Sequence, residues 1–221
     1  FQFSEGSVNK GRQDRAHIHS TVFSLDYNYL FMADLGADKI RCYHFNKDKN
    51  KPVETCHQPF IKTNSGSGPR HFTFHPNGRF AYLIEEMGGA VSAYQYNDGE
   101  LKTIQRIDTH SDHFIDGFES SDIHISPDGK FLYASNRGAE NNLAIFSIEN
   151  NGTLKLIGYQ STKGKHPRVF SIDETGKFVI VANTGTGTVV VFKRNFETGL
   201  LKKVGRKTKI KNVSAVQIKR Y

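Results

Sequence analysis

Four segments of the chain, FSLDYNYLFMAD, FHPNGRFAYLIEE, ISPDGKFLYASNR and IDETGKFVIVANT, read as copies of one unit. Aligned on Tyr27, Gly78, Gly129 and Gly176, they stand 51, 51 and 47 residues apart. A period of about 50 residues with no helical pattern between the copies is the signature of β-propeller blades. In each unit a short apolar strand runs into a turn such as Asn77-Gly78 or Asp128-Gly129, a pair expected to supply the positive backbone angles of a tight hairpin. A second strand follows at residues 80–84, 131–134 and 178–182. These near-continuous apolar, β-branched runs suit strands covered on both faces. A third strand at 90–96, 143–148 or 188–193 leads to a Gly-containing turn, and a fourth begins at Leu101, Leu154 or Leu200. Four antiparallel strands per unit make one blade, so the expected fold is an all-β propeller of four-stranded blades over residues 1–221.

The 221 residues supply about four blades, enough in principle for a small closed ring. The absence of Trp removes the tryptophan signatures of WD40 and kelch blades. No apolar run is long enough to cross a membrane, and Phe1 to Lys10 lack the layout of a secretory signal. The chain opens without Met in the strand-like Phe1-Gln2-Phe3, which reads as the interior of a longer protein.

The net charge of +8 would suit a nucleic-acid binder only if it were spread over a face. Instead Lys202, Lys203, Arg206, Lys207, Lys209, Lys211, Lys219 and Arg220 crowd the last 21 residues, and the remainder balances 22 basic against 22 acidic residues. A solvated tail or edge strand is the expectation; no nucleic-acid or membrane partner is implied. Cys42 and Cys56 lack a CxxC spacing and are expected to be free thiols in a reducing compartment.

Counting from the repeat position shows which residues share a rim. Eight residues before it stand His19, Arg70, Ser121 and Arg168; eight after it stand Leu35, Glu86, Arg137 and Thr184. If the two strands of each hairpin face each other at equal count, both sets gather at one mouth of the central channel. Five of these eight side chains ionise, a costly concentration unless they are paired, solvated or bound to a ligand. Three arginines with a Glu and a His point to an anion site with a proton-transfer group, an Arg70–Glu86 structural ion pair being the plainer alternative. Asp122 could orient a neighbouring Arg or satisfy backbone donors. His17 and His19 form H-x-H without an evident third metal ligand. His71, His75 and His124 read as core or edge histidines. The run 184–188, Thr-Gly-Thr-Gly-Thr, precedes no helix and reads as a hairpin turn, and no Gly-x-Ser-x-Gly elbow occurs.

The strings AHIHS, DLGADKI, GPRHFTFHPNGRFAYLIEE, SSDIHISPDGKFLYASNRG and HPRVFSIDETGKFVIVAN resemble the lactonase family of seven-bladed propellers, which includes propeller-type 6-phosphogluconolactonases and a carboxymuconate cyclase. By that resemblance His19, Arg70, Glu86 and Arg137 fall on catalytic positions and Arg168 on a further family motif; Arg168 and, from its place beside the rim, Asp122 are expected at the substrate. The implied activity is hydrolysis of a small anionic sugar lactone, most simply 6-phosphogluconolactone, without metal or organic cofactor. A cycloisomerase acting on carboxymuconate and a non-catalytic binding propeller are the alternatives. The resemblance also implies that about four of seven blades are present, forming an open arc. The cytoplasm is the expected compartment, with the periplasm left open by the N-terminus.

Overall fold

The computed structural model describes residues 2–111, 117 and 119–218; Phe1, Lys219 and Arg220 lie outside them. Among the described residues sixteen strands form four antiparallel sheets of four, each sheet following chain order, and there is no helix long and apolar enough to cross a membrane. The first blade is β1(Ile18–Phe23), β2(Tyr29–Asp34), β3(Lys39–Phe45) and β4(Val53–Lys62); the second is β5(Pro69–Phe74), β6(Phe80–Glu85), β7(Ala90–Asn97) and β8(Glu100–Asp108). The third comprises β9(Ser120–Ile125), β10(Phe131–Asn136), β11(Asn142–Ile148) and β12(Leu154–Ser161), and the fourth β13(Pro167–Ile172), β14(Phe178–Asn183), β15(Thr188–Arg194) and β16(Leu201–Lys209). The strands stand within two residues of the places the repeat assigns them. The chain divides into two compact units, Phe1–Ile107 and Asp108–Tyr221, each holding two blades.

The hairpin turns sit at the four aligned positions, but their chemistry differs from expectation. Tyr27, Gly78, Gly129 and Gly176 have φ of 61°, 70°, 71° and 69°, whereas the preceding Asp26, Asn77 and Asp128 do not. Each turn is a four-residue loop closed twice, as in Ser126 N to Phe131 O at 2.8 Å and Gly129 N to Ser126 O at 2.8 Å. The Asp or Asn contributes its side chain instead: Asp128 Oδ1 accepts from Lys130 N at 3.2 Å, and Asn77 Oδ1 from Arg79 N at 2.9 Å. Tyr27 shows that the position demands a left-handed backbone that a non-glycine residue tolerates at a cost.

Within each unit the sheets bury their apolar faces against each other. In the first, Phe31, Ile40 and Cys42 pack with Phe72, Leu83 and Tyr94, the Phe31 and Phe72 rings stacking 5.6 Å apart. In the second, Phe131, Tyr133 and Ile145 meet Phe170, Val181 and Phe192. The outer turns repeat one contact. A Cβ on Gly99 would stand 2.4 Å from the Tyr29 ring, and one on Gly199 2.4 Å from the Phe131 ring, so only glycine lets a blade close onto its predecessor's aromatic.

Two sequence expectations on composition resolve here. Residues 201–209 of the basic segment form the outermost strand β16, with Lys202, Arg206, Lys207 and Lys209 exposed. Cys42 and Cys56 are not free: they form a disulfide, because β3 and β4 are antiparallel neighbours that bring their Cα atoms to 5.6 Å.

Candidate active site

The first strand of every blade breaks register at the same place. Ser20 pairs with Ala33 and Ile18 with Asp34, leaving His19 between them; His71 pairs with Ile84 and Pro69 with Glu85, leaving Arg70; Val169 pairs with Ala182 and Pro167 with Asn183, leaving Arg168. In β9 the shift falls between Ile123 and Ser120, so Ser121 and Asp122 share the bulge. Bulges re-aim side chains where a ladder ends, and here they re-aim the candidate residues. The bulge and the four-residue loop also correct the equal-count register: Glu86 N bonds Gly68 O at 2.8 Å and Arg137 N bonds Glu119 O at 2.7 Å, two residues from the assumed partners.

In the first unit the arrangement is a buried carboxylate between two guanidiniums. Arg70 Nε donates to Glu86 Oε2 at 2.6 Å, with the two side chains 1% and 5% exposed. The other oxygen, Oε1, is taken by Arg12 Nη2, whose side chain is half-exposed. Arg70 Nη1 stands 3.1 Å from His71 Nε2; since a guanidinium only donates, His71 accepts. The His19 ring lies 5.2 Å from that of His71, and among the described residues its buried Nδ1 has no hydrogen-bond partner. Burial first, then the neighbouring Arg70 and His71, lower His19 to about 4, with Glu86 opposing them, so its imidazole is neutral at neutral pH. A neutral imidazole beside a guanidinium–carboxylate pair can take a proton from water while the guanidinium holds negative charge.

The second unit holds a parallel group. Arg137, 4% exposed, donates from Nη2 to Ser120 O at 3.1 Å, lies 3.3 Å from His166 Nε2 through Nη1, and stands 3.5 Å from Glu119 Oε1. Ser120 belongs to a buried network in which its Oγ lies 3.2 Å from His110 Nε2, while His110 Nδ1 lies 2.5 Å from Glu140 Oε2. Burial lowers the His110 pKa against the pull of Glu140. Arg168 is partly exposed and has no ion pair among the described residues.

The remaining sequence candidates are absorbed by the framework. Asp122 Oδ1 accepts from Ile123 N at 3.0 Å and Oδ2 from Phe170 N at 2.9 Å, which ties β9 to β13; its Oδ2 also meets His124 Nε2 at 3.1 Å. Burial opposes the His124 charge, yet Asp122 raises its pKa overall. Ser121 Oγ donates to Pro167 O at 2.6 Å. His17 Nε2 pairs with Asp14 at 2.9 Å, and among the described residues no group of three or more His, Cys, Asp or Glu is placed to hold a metal. Sequence reasoning missed Arg12 and passed over His71. Arg12 lies outside the repeat, where counting gives no register, whereas the adjacency of His71 to Arg70 was a usable signal.

The description of a lactonase built as a seven-bladed β-propeller matches the chain over residues 1–218. A 6-phosphogluconolactonase of Formosa agariphila is 47% identical over 223 residues, covering 100% of this chain and 63% of that protein. One from Bacillus subtilis is 36% identical over 193 residues, covering 86% of this chain and 54% of that protein. Among solved structures, a periplasmic gluconolactonase of Pseudomonas aeruginosa superposes with a TM-score of 0.92 at 34% identity, covering 98% of this chain and 60% of its own. The chain thus spans a little over half the length of the relatives it matches.

Proposed function

The chain belongs to the lactonase family of seven-bladed β-propellers, and from that premise we propose that the protein hydrolyses a sugar-acid lactone, 6-phosphogluconolactone being the substrate its relatives' names favour. The observation that carries this reading is the Arg12–Glu86–Arg70 cluster with the neutral His19 beside it. Opening a lactone requires a water made nucleophilic and an oxyanion stabilised on the former carbonyl. His19 accepts the proton of that water. Arg70, buried and held by Glu86, supplies fixed positive charge for the oxyanion without reorganising. Glu86, with both oxygens engaged by guanidiniums, serves better as the group that aims Arg70 than as the base. Within the second unit Arg137 and Arg168 are guanidiniums suited to an anion, and Asp122 joins β9 to β13.

The Cys42–Cys56 bond supports an oxidising compartment such as the periplasm over the cytoplasm expected from sequence. Thiol alkylation after cell fractionation checks that assignment: protected cysteines in the periplasmic fraction support it, free thiols in the cytosol refute it. The activity itself is tested by acid release from 6-phosphogluconolactone, with spontaneous hydrolysis subtracted, run beside carboxymuconolactone. Turnover of the sugar lactone is the expected result; turnover of carboxymuconolactone alone, or of neither, refutes the reading.

A further inference from the structure

Outside the repeat, the segment before the first blade is built to present one side chain. Ser7 N bonds Gln13 O at 3.0 Å, Arg12 N bonds Asn9 O at 3.1 Å, and Gly11 N bonds Asn9 Oδ1 at 3.2 Å, closing residues 7–13 into a compact turn. Gln13 anchors the turn: fully buried, its Nε2 donates to Leu35 O and to Asp38 Oδ1, each at 2.8 Å. Asp38 is itself fixed by the N–H groups of Gly66 at 2.7 Å and Gly68 at 2.8 Å. On the other side Glu5 pairs with Arg41 at 2.9 Å, and that bond heads the causes that hold its carboxyl down at about 2. Arg12 sits on this clamped turn with its guanidinium on Glu86.

Two features make Arg12 more than a clip. Its side chain is 49% exposed, against 5% for Glu86 and 1% for Arg70, so the three run from solvent into the interior. Glu86 is its one side-chain partner among the described residues, which leaves further N–H donors of the fork for a ligand. A bidentate guanidinium at the outer end of such a cluster is matched to a phosphate or carboxylate.

We propose that Arg12 binds the charged group of the substrate remote from the lactone carbonyl, and so sets the preference for a phosphorylated over an unphosphorylated sugar lactone. This rests on the lactonase reading above. The test compares the intact protein with Arg12→Ala and Arg12→Lys, measuring kcat and KM for 6-phosphogluconolactone and for glucono-δ-lactone. Arg12→Ala is expected to raise KM for the phosphorylated lactone by about tenfold or more, while its kcat changes by no more than about threefold. The ratio of kcat/KM between the two lactones should fall by about tenfold, and Lys should restore part of it, having the charge without the fork. An unchanged ratio, with both lactones affected alike or neither affected, overturns the proposal and leaves Arg12 a clip for Glu86. Should the parent hydrolyse neither lactone, the lactonase reading itself has failed. Calorimetric binding of 6-phosphogluconate to parent and Arg12→Ala then decides the assignment alone: weaker binding by the variant supports it, equal or absent binding overturns it.

Discussion

Replacing Glu86 by Gln should expose how unequally its two guanidinium partners depend on it. The side chain is 5% exposed and its Oε2 accepts from an Arg70 that is 1% exposed. Taking the charge away removes the Glu86 carboxylate from the buried Arg70, and removing one partner of a buried pair costs about 3–5 kcal/mol. Gln keeps one acceptor oxygen, which places the expected loss near the lower end, about 3 kcal/mol, or on the order of 100-fold in the unfolding equilibrium. The Arg12 leg of the same carboxylate is half-exposed and screened, so Arg12→Ala should cost no more than about 1 kcal/mol. Urea unfolding of parent, Glu86→Gln and Arg12→Ala, followed by tyrosine fluorescence and analysed for midpoint and slope, measures both. Equal losses for the two variants, or a Glu86→Gln loss under about 1 kcal/mol, would refute the view that the Arg70–Glu86 pair is buried and the Arg12 contact peripheral.

Three further outcomes are expected. Because His19 is lowered from 6.5 to about 4, the unfolded chain takes up a proton there between these values while the folded chain does not; stability should fall as pH drops through that window, by at most about 3 kcal/mol, and His19→Asn should flatten the slope. Gly99→Ala combines a φ of +84° with a Cβ 2.4 Å from the Tyr29 ring, and should lower the thermal midpoint more than Gly205→Ala, where φ is +63° but nothing lies within 4 Å. Reducing the Cys42–Cys56 bond, which spans 14 residues, should cost about 2–3 kcal/mol of unfolding free energy, read as a shift in urea midpoint with and without dithiothreitol; no shift would contradict a stabilising role.

The blades were legible because a turn and the strands beside it carry local chemistry. The left-handed residue at Gly78, Gly129 and Gly176, the polar residue before it and the apolar run after it are all set by nearest neighbours. The same alignment placed His19, Arg70 and Arg168 at one structural position, which proved to be a bulge that no local pattern announces. The simple count therefore expected Arg70 and Glu86 to meet, as they do, while pairing them in the wrong register. Contacts between segments distant in sequence stayed hidden. Arg12 reaches Glu86 across 74 positions, and Cys42 meets Cys56 only because two strands lie side by side. Asp122 could be read either way until its oxygens were seen on the N–H groups of Ile123 and Phe170.

Steady-state kinetics of His19→Asn and Arg70→Ala with 6-phosphogluconolactone test the chemistry assigned to His19 and Arg70. Loss of a general base should lower kcat of His19→Asn by about 100-fold or more with KM little changed, and Arg70→Ala should lower kcat/KM by a comparable factor. If both variants, shown to be folded, open the lactone with the parent kcat and KM, the site is elsewhere and the central claim is contradicted.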